Sequence, residues 1–150
     1  MAKRLNFLTG TWIEDAKSAK RKAPEVQVGR EVDTYLRSLG GYVRQITSTG
    51  TMRNGRWHTS GQGVGISDRL CWLPGGRMIA VELKASGKRR SVTEAQLLFL
   101  ERIVGLGSIG CVADSVACVE RALAQSQAEL LEELQELKPR QKVNLAPLFP

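Results

Sequence analysis

The sequence has no run of about 18 consecutive apolar residues, so nothing in it reads as a membrane-spanning helix. Its start, Met1-Ala2-Lys3-Arg4, is not followed by an apolar core and a small-residue cleavage site; no secretory leader is expected, and the expected location is cytoplasmic. Cysteine is scarce. Cys71, Cys111 and Cys118 are odd in number, sit among apolar residues and share no C-x-x-C spacing, which argues against a disulfide framework or a zinc site and for core thiols. There is no G-x-G-x-x-G and no P-loop, so the usual cradles for dinucleotides and nucleoside triphosphates are missing. Internal repeats and low-complexity tracts are absent as well, and His58 is the only histidine.

What remains is an ordinary globular composition with an uneven charge. The chain has 150 residues, 42% of them hydrophobic and 25% charged, enough to bury one core but rarely two. The net charge is +7, and the excess lies before residue 119: Glu120 to Leu137 holds five Glu against one Arg. A polyanion such as DNA is the natural partner of the basic part, because each Lys or Arg set on a phosphate releases condensed counterions. Charge alone would equally serve solubility.

Residues 1–24 read as a basic arm, with Lys17, Lys20, Arg21 and Lys22 ahead of Pro24. From Glu25 to Leu39, Val28, Val32, Tyr35, Leu36 and Leu39 recur at helical spacing before the stop at Gly40-Gly41. Tyr42 to Thr47 alternates as a strand does, and Ser48 to Gly65 is a long Gly/Ser/Thr-rich loop of the kind that often carries function. Arg69 to Leu73 and Arg77 to Lys84 read as two antiparallel strands joined by Pro74-Gly75-Gly76, since Pro presets one turn dihedral and Gly permits positive φ. A helix is expected from about Ser91, where Ser91 and Glu94 have capping-box spacing, to Leu106. Ile109 to Ala113 follows as a strand. Val116 to Leu137 is expected as one long helix with a near-heptad seam of Val116, Val119, Leu123, Leu130, Leu134 and Leu137. This order describes an α/β sandwich with a mixed sheet flanked by helices, not a doubly wound nucleotide-binding fold.

The candidate chemistry centres on Val81-Glu82-Leu83-Lys84. Side chains alternate across a strand, so Glu82 and Lys84 share one face. With Gly75 at the centre of a three-residue turn, Asp68 falls opposite Glu82. Two facing carboxylates repel, and burial would raise their pKa values, unless a cation compensates. Oxygen ligands with open positions suit Mg²⁺ or Mn²⁺ rather than zinc. Lys84, two residues from such a ligand, could orient an attacking water and offset the charge that builds on a phosphoryl group. E-x-K triplets are common by chance. An acidic residue at a strand start, a glycine-punctuated hairpin and E-x-K inside an apolar strand together form a much more specific pattern.

Gly65-Ile66-Ser67-Asp68, the hairpin Pro74-Gly75-Gly76-Arg77, Val81-Glu82-Leu83-Lys84 and Ser91 to Gln96 together resemble the VRR-NUC family, a branch of the PD-(D/E)XK nucleases common in phage and bacterial genomes. The likeness runs from about Glu25 to Leu123. It implies a restriction-endonuclease-like fold at 25–123, with residues 124–150 as a helical extension and tail. It also implies metal ligation by Asp68, Glu82 and the backbone carbonyl of Leu83, with Lys84 at the water, and kinship with Holliday-junction resolvases. The expected activity is therefore Mg²⁺-dependent, structure-selective cleavage of DNA in a bacterium or a phage-infected cell. Ser67 departs from the pattern, standing where the family usually has Pro.

The resemblance also places a Gln near the metal-bound phosphate or water, and Gln96, on a helix face with Leu100 and Ile103, matches it. Such nucleases often add an acid from the first helix, for which Glu25 and Glu31 compete. At 100° per residue, Glu25 lies about 40° from the centre of the apolar face and Glu31 about 80°, which favours Glu25. Lys88, Arg89 and Arg90 are candidate phosphate contacts, as are Arg53 and Arg56 in the long loop, where Trp57 could stack on an unpaired base. His58, in the same loop, is taken as exposed rather than catalytic. The seam of the last helix could pack on its own sheet or on a second copy, and a homodimer would suit a two-fold substrate. Alternatives to the nuclease are a non-catalytic nucleic-acid-binding protein that keeps the fold and an adaptor that uses the long helix.

Overall fold

The computed structural model describes residues 3–5, 12–14, 24–47, 50–54, 56–59 and 65–139. Two antiparallel ribbons stand apart from the main sheet: β1 (Lys3–Leu5) with β2 (Trp12–Glu14), and β4 (Gly50–Arg53) with β5 (Arg56–Thr59). The first lies in the expected arm and the second in the expected long loop. Asn54, with φ of 52°, sits between β4 and β5, and Asn54-Gly55 is a strong two-residue hairpin signal that outweighs the loop-like composition around it.

Between these ribbons lie α1 (Glu25–Ser38) and β3 (Tyr42–Gln45). They are followed by β6 (Arg69–Trp72), β7 (Met78–Leu83), α2 (Glu94–Gly105), β8 (Ile109–Ala113), α3 (Val116–Ala124) and α4 (Gln127–Glu136). The main sheet is mixed, with strand order β3-β6-β7-β8; β8 is parallel to β7 and the other pairings are antiparallel. The antiparallel β6–β7 hairpin has the expected register, Arg69 facing Val81 and Trp72 facing Met78. Gly75 and Gly76 hold φ near 85° in the turn, a conformation that side chains with a Cβ rarely adopt.

Helices α1 and α3 pack together on one face of the sheet, and α2 and α4 on the other. The core between them is aliphatic: Val28, Val32 and Leu36 of α1, Ile79 and Val81 of β7, Leu97, Leu100 and Val104 of α2, and Leu130 and Leu134 of α4 are all buried. The three cysteines are free and buried, as expected of core thiols.

Two helix boundaries differ from the expected ones. The long terminal helix is two: the chain turns extended at Gln125 (ψ 149°), and Ser126 starts α4 with a capping box closed by Glu129. The seam therefore folds back onto β8 and α2 of the same chain. Helix α2 is capped by Thr93 and starts at Glu94, not Ser91. Arg89–Ser91 forms a 3₁₀ turn in which the Ser91 hydroxyl donates to the Lys88 carbonyl, whereas Thr93 and Gln96 complete the capping box.

Candidate active site

The register of β6 and β7 determines the site. Extended by one pair beyond Arg69 and Val81, it sets Asp68 opposite Glu82 at the open end of the hairpin. Asp68 is half-buried, and its Oδ2 accepts a 2.9 Å hydrogen bond from the Leu83 backbone N–H. The Asp68 carbonyl accepts from Ile46 N–H (2.9 Å) and from the Arg69 guanidinium (3.1 Å). Arg69 is itself buried and donates through Nε to Asp33 of α1 at 2.7 Å. The Asp68 backbone is thus tied to a strand and to a helix. Gly29 permits the approach of α1, for a Cβ there would sit 3.0 Å from Leu83 Cδ1 and 3.1 Å from Arg69 Nη2.

Glu82 is 1% exposed and points toward α2. Its Oε1 accepts from Lys84 Nζ at 2.8 Å and from Gln96 Nε2, while its Oε2 is buried with no hydrogen-bond partner. Gln96 joins three groups. Its Oε1 accepts from the Thr93 N–H at 2.9 Å and from Lys84 at 3.4 Å, and its amide nitrogen donates to Glu82. Reversing the amide would aim its donors at two other donors, so the network itself fixes its orientation. The residue that closes the capping box of α2 therefore also orients Glu82 and Lys84 beside it.

Burial pushes the Glu82 carboxyl up, the Lys84 hydrogen bond opposes this, and the neighbouring Asp68 charge pushes further, leaving it at about 7. One lysine does not compensate two carboxylates in an apolar wall. Among the described residues no three His, Cys, Asp or Glu side chains cluster closely enough to cage a metal, so any cation here must also take backbone or solvent oxygens.

An open cleft of about 510 Å³ leads to Asp68 between α1 and the sheet, lined by Glu25, Arg30, Asp33, Thr47, Arg69 and Leu83 among others. Glu25 is exposed at its mouth; Glu31 is not among the lining residues and instead accepts from Gln27. Asp33, Arg69 and Gly29 escaped the sequence reading, because an ion pair between residues 36 positions apart has no local pattern.

The basic candidates separate. Lys88 and Arg90 are exposed, Arg90 also donating to the Glu136 carbonyl at 3.2 Å. Arg89 turns inward, donating to the Val112 carbonyl at 2.8 Å and to Glu133. Arg53 and Arg56 are register partners at the turn end of β4–β5. Their side chains, like those of Trp57 and His58, lie outside the described residues.

Neither a family model nor a curated protein matches the chain. A solved structure described as "VRR_NUC domain" does, with 25% sequence identity and a TM-score of 0.50, covering 69% of this chain and 97% of that one.

Proposed function

We propose that this chain, which is similar to a solved VRR_NUC domain over 69% of its length, is a nuclease of that kind: a Mg²⁺- or Mn²⁺-dependent endonuclease that hydrolyses DNA phosphodiester bonds at junctions, flaps or nicks. The observation that carries this reading is the Glu82 carboxylate, buried with one oxygen unpartnered beside a second carboxylate. Buried polar atoms are nearly always satisfied, so an orphan of this kind calls for a missing partner, and between two carboxylates that partner is a cation.

The donor set fits a hard divalent ion. Asp68 and Glu82 would supply carboxylate oxygens and Leu83 its backbone carbonyl, which leaves the strand on the same edge as the N–H bonded to Asp68. When bound, the ion would supply Lewis-acid charge to a phosphoryl oxygen. The chain's own groups do the rest. Lys84 directs two of its three N–H bonds at Glu82 and Gln96, leaving the third for a water or a phosphate oxygen at the mouth of the site. Its charge offsets the negative charge that develops as the phosphodiester is attacked. Gln96 holds both Glu82 and Lys84 in register, and Glu25, on the cleft that leads to Asp68, is the further acid from the first helix. Lys88 and Arg90 are exposed and within reach of a bound strand's phosphates, whereas Arg89 is committed to Glu133.

The test is incubation of the purified protein with end-labelled linear, nicked, flap and four-way-junction DNA in Mg²⁺, Mn²⁺ or EDTA, beside Lys84→Ala. Cleavage that requires the metal and falls at least about 1,000-fold in the variant supports the proposal. DNA that stays intact although the protein binds it in low salt points instead to a binding protein that keeps the fold.

A further inference from the structure

The sheet face that carries Glu82 has a second feature. Strand register arranges this face in rows: Tyr42, Trp72 and Met78; then Arg44, Leu70 and Ala80; then Asp68 beside Glu82. Helices α2 and α4 cover the face over β7 and β8. Over β3 and β6 none of the described helices covers it: Tyr42 is 62% and Trp72 44% exposed, and Arg44 is exposed between them and the carboxylates. Tyr42 and Trp72 form a tilted pair, with ring centroids 6.1 Å apart and planes at 41°.

We propose that Tyr42 and Trp72 form a stacking platform for an unpaired base of the DNA strand that runs over Arg44 to the Asp68–Glu82 centre. This proposal rests on the nuclease reading for the identity of the ligand. A cross-strand aromatic pair alone would contribute only about 0.2–1 kcal/mol to the sheet and gives no reason for both rings to lie in water. Three properties select an unpaired strand. The rings offer sequence-tolerant π-faces, which a base locked in a duplex cannot reach. Arg44 supplies the charge that a phosphate needs one row nearer the carboxylates. The path is continuous: Trp72 to Asp68 is four strand residues, about 13 Å, the length of about four nucleotides stacked at about 3.4 Å each. The base lies on the outer face of a ring and not between the rings, since a sandwich needs about 6.8 Å between parallel planes and these stand 6.1 Å apart and tilted.

The experiment measures binding without chemistry. Fluorescein-labelled oligo(dT) and a duplex of equal length are titrated in EDTA with the full chain, Trp72→Ala, Trp72→Phe and Tyr42→Ala, each checked for an unchanged thermal transition. The platform predicts that Trp72→Ala weakens oligo(dT) binding about tenfold more than duplex binding, that Tyr42→Ala does so less, and that Trp72→Phe restores most of the loss. Equal weakening for both ligands, or none, overturns it. So does a Trp72→Ala variant that binds oligo(dT) normally but sediments as a smaller species than the parent, which would assign the face to a second copy of the chain. Because no cleavage is read, failure of the platform is distinct from failure of the nuclease reading, which the metal-dependent assay decides separately.

Discussion

Glu82 and Glu133 are two acids on the same side of the sheet, each bonded to a basic side chain, and they titrate in opposite directions. Burial pushes both up. At Glu133 hydrogen bonds from Arg121, Gln125 and Arg89 outweigh burial and hold the carboxyl at about 2. At Glu82 the donors are one lysine and one amide on a single oxygen, a second carboxylate stands alongside, and the group rises to about 7. One arrangement is complete and ties α3 and α4 to the loop after β7. The other is deficient in positive charge, and the deficit is buried beside Asp68, which lines an open cleft. A fold that satisfies a half-buried glutamate fully and leaves a buried one short supports the proposal that a cation binds at the second.

The largest stability effect belongs to the complete arrangement. Glu133→Ala strands Arg89 beside the Val112 carbonyl and should cost about 2–4 kcal/mol in urea unfolding at pH 7, given that removing one partner of a half-buried pair leaves an uncompensated charge. The wild-type contribution also has a defined pH window. The Glu133 pKa is depressed on folding, so its stabilisation is present above about pH 4.5 and is lost as the pH falls toward 2.

Glu82 should do the reverse. Its pKa is raised on folding, so in EDTA its protonated form favours the fold below about pH 4.5 and stability is lost as the pH rises to 7. Glu82→Gln should therefore be more stable than wild type at pH 8 by of order 2 kcal/mol, and equal to it at pH 4, in paired urea melts with EDTA. A variant less stable than wild type at pH 8 would erase the contrast between the two glutamates.

A smaller effect separates the two roles of Gln96. Gln96→Ala removes both the cap and the donor to Glu82 and should cost about 1 kcal/mol. Gln96→Glu keeps an acceptor for the Thr93 N–H but replaces the donor to Glu82 with a third carboxylate, so in EDTA at pH 8 it should melt below Gln96→Ala as well as lowering cleavage. The smallest effect is at Gly29. Gly29→Ala gains about 1 kcal/mol of helix propensity but presses on the movable ends of Leu83 and Arg69, so the net change in melting should stay within about 1 kcal/mol.

The hairpin and the Asp68–Glu82 pairing were legible because both follow from local rules: a Pro-Gly-Gly turn fixes the register, and strand alternation fixes the face. The break at Gln125 was obscured by an apolar repeat that runs through it, although Ser126-x-x-Glu129 is a capping box as plain as Ser91-x-x-Glu94. Of two such signals only one starts a helix, because the Ser91 hydroxyl is bonded to the Lys88 carbonyl within its own turn. Nothing local announces that Arg89 faces Glu133, 44 residues away, instead of solvent; the run Lys88-Arg89-Arg90 looks uniform until the tertiary fold turns its middle member inward. The Tyr42–Trp72 pair is hidden for the same reason, since β3 and β6 are brought together across the whole loop between them.

The most direct test of the central claim is thermal unfolding at pH 8 with increasing Mn²⁺, on the wild type and on Glu82→Gln. If the deficit at Glu82 is a cation site, the wild-type transition rises with Mn²⁺ concentration while that of the variant, already more stable in EDTA, does not move. A wild-type transition indifferent to Mn²⁺, or one raised equally in both proteins, would contradict the account.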